Sequence, residues 1–179
     1  MGWYDVFSRF YDSSLEDLYR EHRVLARQRL ELEPGHHVLD AGCGTGLSLD
    51  ELVPAEGARG GVFGVDRSKG MLARAQKRVE RNEWSNVSLL RSPLQALDGN
   101  AIAEHYPAAE AGFDRLLCFL VLSALEDWQE VFASLWQLLR PGGKAVIIDT
   151  HDPKPSFQCR MVNLLARADI RRPVWQALV

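Results

Sequence analysis

Cysteine is scarce in this sequence, and the few cysteines form no metal-binding or disulfide pattern. Cys43, Cys118 and Cys159 are odd in number, far apart and in no C-x-x-C arrangement. This spacing disfavours both a disulfide framework and a structural zinc site, and a reducing compartment fits it best. The neighbouring His36 and His37 have no Cys or acid at ligand spacing, so we predict that the chain binds no metal.

Long apolar runs and an excess of positive charge are also absent. No run approaches the length of a membrane span, and the first residues lack the basic start and apolar stretch of a signal peptide. The formal net charge is −3 and the isoelectric point is near 6.0, so no basic field is available to neutralise a phosphate backbone. We therefore expect a cytoplasmic protein with no nucleic-acid partner and no stable membrane insertion.

The pattern of apolar residues predicts an α/β fold in one domain. The chain has 179 residues, of which 46% are hydrophobic, enough for one sizeable core. Strand-like runs alternate with helical patterns, which is typical of a parallel sheet covered on both faces. The predicted strands are 37–40, 62–66, 87–90, 113–122 and 145–149. The predicted helices are 47–52, 69–82, one extra turn within 102–106, and a segment with an apolar stripe from 131 to 139 that Arg-Pro-Gly-Gly at 140–143 is expected to end.

A glycine-rich loop follows the first predicted strand. Residues 38–46 have the sequence Val-Leu-Asp-Ala-Gly-Cys-Gly-Thr-Gly, with glycine at Gly42, Gly44 and Gly46. Glycine suits such a turn because it adopts positive φ without steric cost and lets a ligand approach the backbone. A dinucleotide fingerprint is G-x-G-x-x-G, but its third position holds Leu47 here, so a pyrophosphate site is disfavoured. A bare structural turn is the alternative interpretation of the loop.

These nine residues resemble motif I of the class I S-adenosylmethionine-dependent methyltransferases. The resemblance extends from about Tyr11 to about Asp152 and is nearest to the small-molecule enzymes that methylate quinones and phospholipids. It implies a Rossmann-like class I methyltransferase fold, a mainly parallel sheet with helices on both faces. It also implies S-adenosylmethionine as the cofactor and methyl transfer to a small-molecule acceptor.

Two acidic residues stand at the ends of predicted strands. Asp66 ends the second strand, 20 residues after Gly46, where an acid can accept both ribose hydroxyls of adenosine. Capping of the helix that begins near Ser68 is the alternative role. Asp40 precedes the glycine loop, and the resemblance implies that it helps to hold the ammonium group of the cofactor's methionine end. It can also brace the loop through backbone N–H groups, and the two roles are compatible.

The chain departs from the resembling family at two positions. Ser92 stands where the family usually has an acid that receives the adenine amino group, so an adenine contact would come from its hydroxyl, from a backbone carbonyl, or from no specific group. Ala124 stands where the family has a histidine, so no proton acceptor is available there. Residues 120–123 are expected to form the floor of the cofactor pocket. The cofactor contacts that the resemblance implies are Tyr11, Asp40, Gly42, Cys43, Gly44, Gly46, Asp66, Arg67, Met71, Ser92, Pro93, Leu94 and Phe119.

Catalytic side chains are not evident from the sequence. Tyr11 belongs to an aromatic–acid element that resembles one placed against the cofactor's sulfonium, and packing on the sheet alone is the alternative role. His151 follows the fifth strand, and histidine is the residue type that most often acts as a general base, although a solvated loop histidine is the alternative. Both remain candidates only.

The predicted organisation is a single methyltransferase domain over 1–179. Residues 1–30 form an amino-terminal helical lid, 31–152 the cofactor-binding core and 153–179 a carboxyl-terminal helical segment. The resemblance implies two further strands after the fifth, and these are expected to be missing, which leaves an apolar edge. Either the chain is a truncated or incompletely ordered form, or a homodimer partner protects this edge. A cofactor-binding module without transfer activity is one alternative function. A nicotinamide-dependent oxidoreductase is another, disfavoured by the glycine spacing and by the lack of a Tyr-x-x-x-Lys pair.

Overall fold

One parallel sheet organises the part of the chain that the computed structural model describes, which is residues 18–53, 60–151, 169, 171, 173 and 174. Its strands are β1 (His37–Ala41), β2 (Gly61–Asp66), β3 (Val87–Arg91), β4 (Phe113–Phe119) and β5 (Leu139–Ile148). The helices within these residues are α1 (Arg20–Leu30), α2 (Leu49–Leu52), α3 (Lys69–Arg81), α4 (Gly99–His105) and α5 (Trp128–Trp136). Short 3-10 turns occur at Leu94–Ala96, Pro107–Ala109 and Leu122–Ala124.

The strand order is β3-β2-β1-β4-β5, and every pairing is parallel. The order reverses at β1, whose neighbours are β2 on one side and β4 on the other. In open parallel sheets the loops diverge at such a switch point and leave a crevice at the carboxyl ends of the strands. The glycine-rich loop after β1 therefore begins at this crevice.

Helices cover both faces of the sheet, and alternate residues of each central strand supply the two cores. On β1, Leu39 packs into one core and Val38 into the other, because successive side chains of a strand point to opposite faces. The first core contains buried residues of α4 and α5, and the second contains buried residues of α1, α2 and α3. The predicted α/β fold with helices on both faces is thus confirmed.

Helix α3 shows how the local sequence sets an element that borders the crevice. Its apolar residues Met71, Ala75 and Val79 recur every four positions and are all buried. Ser68 supplies the amino-terminal cap, because its Oγ accepts a hydrogen bond from the backbone N–H of Met71 at 3.2 Å. The cap fixes the start of α3 directly after Asp66, at the end of β2.

The segment 140–143 differs from its prediction. It was expected to end a helix, but α5 already ends at Trp136, and Arg-Pro-Gly-Gly lies within β5. The backbone N–H of Phe113 donates to the carbonyl of Leu138 at 2.8 Å, so the chain already pairs with β4 before it reaches residues 140–143. The register shifts between the pairs Phe113–Leu139 and Arg115–Lys144, and this irregularity accommodates the proline and the positive φ of Gly142.

Several predictions concern residues outside the described part of the chain. Only residues 18–30 of the predicted lid are described, and they contain α1. The predicted helical segment 153–179 lies almost wholly outside the described residues, and so does the prediction that two further strands are absent. In the described sheet, β5 is an edge strand. No helix among the described residues is long and apolar enough to cross a membrane. Nor do three His, Cys, Asp or Glu side chains gather there in a way that could hold a metal ion.

Candidate functional site

A cleft opens at the carboxyl ends of the central strands, and it consists of two adjoining recesses. Both recesses are lined by Gly42, Gly44, Phe119 and Leu120. The other residues of the first, which we call the outer recess, are Asp66, Arg67, Met71, Leu94, Gln95, Val121, Ala124 and Leu125. The other residues of the second, which we call the inner recess, are Tyr19, Arg23, Asp40, Cys43, Thr45, Leu47 and Ser48.

The three glycines of the loop are required for different reasons. A Cβ on Gly42 would lie 2.8 Å from the Cβ of Val121, across the floor of the cleft. A Cβ on Gly46 would lie 3.2 Å from the Cβ of Ala75, so this glycine lets the loop pack on α3. Gly44 has a φ of 55°, and a Cβ there would meet no atom closer than a carbonyl oxygen at 4.0 Å. Its open side faces the cleft, where a bound ligand can approach the backbone.

Asp66 ties the loop to the start of α3. Its Oδ2 accepts the backbone N–H of Gly44 at 3.0 Å, and its Oδ1 accepts the N–H of Ser68 at 2.8 Å. Burial raises the pKa of this carboxyl group, while the two N–H donors oppose the rise. The side chain that caps α3 is Ser68, so Asp66 is not the helix cap that the sequence left open. Each carboxylate oxygen can accept a second hydrogen bond, for example from a ligand hydroxyl.

Asp40 is a buried acid that faces the inner recess. It is 1% exposed, and its Oδ2 has no hydrogen-bond partner among the described residues. Burial, assisted by the charge of Asp66, raises the pKa of Asp40 to about 7. An unpaired buried carboxylate is costly, so Asp40 requires either a proton or a cation beside it. Thr45, which is 2% exposed, adds a second buried oxygen without a partner in the same recess.

Helix α1 and Tyr19, the residue just before it, bring two side chains to the inner recess that the sequence did not predict. The ring of Tyr19 meets that of Phe119 edge to face, with centroids 6.3 Å apart. Arg23 lies one turn further along α1 and is only 6% exposed. One signal was available, because Arg23 belongs to the stripe that α1 buries with Ala26 and Leu30, where a charged side chain is unusual. The recess thus combines a buried cation with a buried acid.

Leu120 shapes the cleft through its backbone. Its φ is 55°, a left-handed conformation that costs a non-glycine residue roughly 1–2 kcal/mol. A hydrogen bond of 2.7 Å from its N–H to the carbonyl of Ile148 holds this conformation and links the cleft floor to β5. Asp149 adds a second link, because its Oδ1 accepts the hydroxyl of Ser123 at 2.6 Å and its Oδ2 accepts the N–H of the same residue at 2.9 Å.

Most of the predicted cofactor residues line the cleft. The outer recess contains Gly42, Gly44, Asp66, Arg67, Met71, Leu94 and Phe119, and the inner recess adds Asp40 and Cys43. Gly46 packs on α3 as described, and Ser92 and Pro93 lie in the turn after β3 without lining either recess. Tyr11 lies outside the described residues, and His151 is exposed after β5. Gln95 was not predicted, because its position depends on the turn that follows β3.

The lining of the cleft offers no activated nucleophile among the described residues. Burial raises the pKa of Cys43 well above its ordinary value, so its thiol stays protonated and unreactive. Ala124 and Leu125 are apolar, and the acids Asp40 and Asp66 lie at the carboxyl ends of β1 and β2, beside the glycine loop. Such a site can bind and align two reactants, but it relies on a reagent that is already activated.

This crevice, with a glycine loop after β1 and an acid at the end of β2, is typical of a class I methyltransferase fold. A family model described as a methyltransferase domain matches residues 39–145. The chain therefore belongs to the methyltransferase domain family, which makes S-adenosylmethionine its cofactor.

Individual relatives agree with the family. The chain is 30% identical over 126 residues to a demethylmenaquinone methyltransferase of Geobacillus sp. (strain WCH70), which covers 70% of this chain and 50% of that protein. A SAM-dependent methyltransferase of Aquifex aeolicus superposes with a TM-score of 0.66 at 22% identity, covering 92% of this chain and 86% of that one. A phosphoethanolamine N-methyltransferase of Haemonchus contortus, solved with S-adenosylhomocysteine, superposes with a TM-score of 0.66 at 19% identity. The superposition covers 95% of this chain and 42% of that one. The chain spans about half the length of the curated relatives that it matches.

Proposed function

We propose that this chain transfers the methyl group of S-adenosylmethionine to a small-molecule acceptor, and that a demethylmenaquinone-like quinol belongs to the acceptor class. One observation carries the cofactor part of the proposal. Asp40 and Arg23 face one recess as a buried acid and a buried cation, while Asp66 faces the other recess across Gly44. The amino-acid end of S-adenosylmethionine carries an ammonium and a carboxylate, and its ribose carries two hydroxyls. The two recesses match these groups.

Each group of the cofactor has a partner in this arrangement. The unpartnered Oδ2 of Asp40 binds the ammonium, which provides the positive charge that this buried oxygen lacks. Arg23 binds the carboxylate from α1, and the Asp66 carboxylate accepts the ribose hydroxyls. The backbone of Gly44 lies between them, where its open side admits the ligand.

Asp40 disfavours a nicotinamide dinucleotide. The pyrophosphate of such a cofactor is anionic, and the buried Asp40 lies beside the glycine loop. Like charges at short range in a buried site repel strongly. The oxidoreductase alternative would therefore require Asp40 to bind a proton before the cofactor could enter.

The chemistry requires little from side chains. When bound, S-adenosylmethionine supplies a methyl group already activated by its sulfonium. Phe119, Leu120, Val121 and Ala124 provide an apolar floor that excludes water from this methyl group and holds the acceptor in line with it. No proton acceptor lies at Ala124, so an acceptor that loses its own proton readily, as a hydroquinone does, suits the site.

Organisation and location complete the proposal. We infer a single methyltransferase domain over 1–179, made of an amino-terminal lid (1–30), a cofactor-binding core (31–152) and a helical carboxyl-terminal segment (153–179), in the cytoplasm. A homodimer seam along β5 is supported by the edge position of this apolar strand in the described sheet. Light scattering across a concentration series tests the seam, and a monomer at all concentrations would argue against it.

Calorimetry with ligand fragments tests the cofactor assignment. Arg23→Met should weaken binding of S-adenosylhomocysteine by about 1.5–3 kcal/mol, the range for a lost hydrogen bond to a charged group. The same variant should leave methylthioadenosine unaffected, since that fragment lacks the amino-acid end. Arg27→Met is the matched control, one turn further along α1 and exposed. Equal losses for both fragments would contradict the carboxylate assignment.

A transfer assay tests the reaction. The protein is incubated with S-adenosylmethionine labelled in its methyl group and with short-chain demethylnaphthoquinols, phenols and amines. We expect label to appear in the quinol. Tight cofactor binding without transfer to any acceptor would instead favour a binding module, and transfer to amines alone would refute the quinol class.

A further inference from the structure

The part of the cofactor still without a polar partner is its adenine base. Adenine carries a 6-amino group, which needs a hydrogen-bond acceptor. In the turn after β3, the Ser92 hydroxyl donates to the carbonyl of Pro93 at 3.1 Å, and neither residue lines the outer recess. Pro93 also has no backbone N–H to offer. Recognition of the base must therefore come from another residue of the recess.

Gln95 is the uncharged polar side chain among the described residues that line the outer recess. It belongs to the 3-10 turn after β3, while the acid Asp66 marks the ribose side of the same recess. Leu94 and Leu125 are buried beside it and offer apolar surface to the faces of a flat ring. This placement, a polar group at the rim of an apolar slot, suits the edge of a heteroaromatic base.

Asp127 fixes the direction in which Gln95 can hydrogen-bond. The Nε2 of Gln95 donates to both carboxylate oxygens of Asp127, at 3.0 and 3.1 Å. An ionised carboxylate only accepts hydrogen bonds, so the amide must turn its nitrogen toward Asp127. The carbonyl Oε1 of Gln95 is then presented as an acceptor on the opposite side of the amide. An acceptor with a fixed direction distinguishes an amino group from a carbonyl oxygen.

We infer that Gln95, oriented by Asp127, recognises the 6-amino group of the cofactor's adenine and selects adenosine over its deaminated, inosine-type counterpart. The inference rests on the proposed cofactor function and adds the residue that specifies the base. Gln95 contacts the ligand, and Asp127 is a positioning residue. A ligand with oxygen at position 6 leaves two acceptors facing each other, which is unfavourable because neither is satisfied.

Calorimetric titration of S-adenosylhomocysteine and S-inosylhomocysteine tests the inference. The parent protein should bind the adenosine form about tenfold more tightly, as expected when one hydrogen bond to the ligand is at stake. Gln95→Leu and Gln95→Ala should bring the ratio of the two affinities to within about threefold. Asp127→Ala should lower the ratio partly, because the amide of Gln95 is then free to rotate.

A matched control exists on α3. Gln76 is also an exposed glutamine that donates through Nε2 to an acid, Glu80 at 3.0 Å, but it does not line the cleft. Gln76→Leu should leave the ratio unchanged. Melting temperatures establish that each variant folds.

The outcomes separate this inference from the proposed function. If the parent binds neither ligand, the cofactor assignment itself fails, and the inference falls with it. If the parent binds both ligands equally, or if Gln95→Leu and Gln95→Ala both keep the parent's preference, the cofactor assignment stands and Gln95 is not the base-specifying residue.

Discussion

Replacing Asp40 by Asn should stabilise the free protein at alkaline pH. The pKa of Asp40 rises from an ordinary value of 3.8 to about 7 in the folded chain, chiefly through burial. Between these values the folded state holds a proton that the unfolded state has lost, so the free energy of unfolding falls as the pH rises. The loss of stability that ionised Asp40 causes is absent below about pH 4 and complete above about pH 7. A pKa shift of this size corresponds to about 4 kcal/mol in the free energy of unfolding.

The neutral side chain of Asp40→Asn avoids this penalty at every pH. We expect the variant to be more stable than the parent by roughly 2–4 kcal/mol at pH 8, with the difference shrinking toward zero as the pH approaches 4. Urea unfolding monitored by tryptophan fluorescence from pH 4 to pH 8 measures this difference. Glu110→Gln is the control, since Glu110 is exposed and its neutralisation should leave the pH dependence unchanged.

The same variant should bind the cofactor less well. A neutral amide cannot balance the ammonium of S-adenosylmethionine, so we expect a loss of about 1–3 kcal/mol at pH 8. In the parent, affinity should increase as the pH rises through about 7, because only the ionised Asp40 attracts the ammonium. Parallel stability curves for parent and variant between pH 5 and pH 8 would refute the reasoning, and so would tighter cofactor binding by the variant.

Three further predictions follow from the contacts of the cleft. Asp66→Ala should weaken binding of S-adenosylhomocysteine by roughly 1–3 kcal/mol, and unchanged calorimetric affinity in a folded variant would remove the ribose assignment. Gly44→Val should fold but lose cofactor binding, since its side chain would enter the open side of the loop; affinity equal to the parent's would make the loop a structural turn only. Asp149→Ala should lower the free energy of unfolding by about 2–4 kcal/mol, because the hydroxyl and the N–H of Ser123 lose their acceptor, whereas unaltered urea midpoints would speak against this link.

The sheet and its helices could be predicted because their signals are local. The buried positions of α3 repeat at the spacing of one helical turn, and the central strands are apolar runs that end in an acid or a glycine loop. Asp40 and Asp66 were assigned to the strand ends by the same reasoning, and the structure places both on the cleft. Parallel topology then requires that these ends meet at one edge of the sheet.

Local patterns failed where a distant segment decided the conformation. Arg-Pro-Gly-Gly at 140–143 has the composition of a helix end, but the N–H of Phe113 pairs with Leu138 and extends β5 back through these residues. The predicted fourth strand continued to residue 122, whereas β4 ends at Phe119, because Leu120 turns into a left-handed conformation held by Ile148.

The sequence by itself determined the class of fold, the glycine loop and the acids beside it, because each depends on neighbours within one turn or one strand. Only the tertiary structure decided what surrounds them. It placed Arg23 in the recess of Asp40, and it joined Gln95 to Asp127 across 32 residues of chain. A sequence does not show which residues will pair in this way, since such pairs form only when the packed sheet brings separate turns together. The burial of Asp40 and Arg23 then sets the charges that the inner recess accepts.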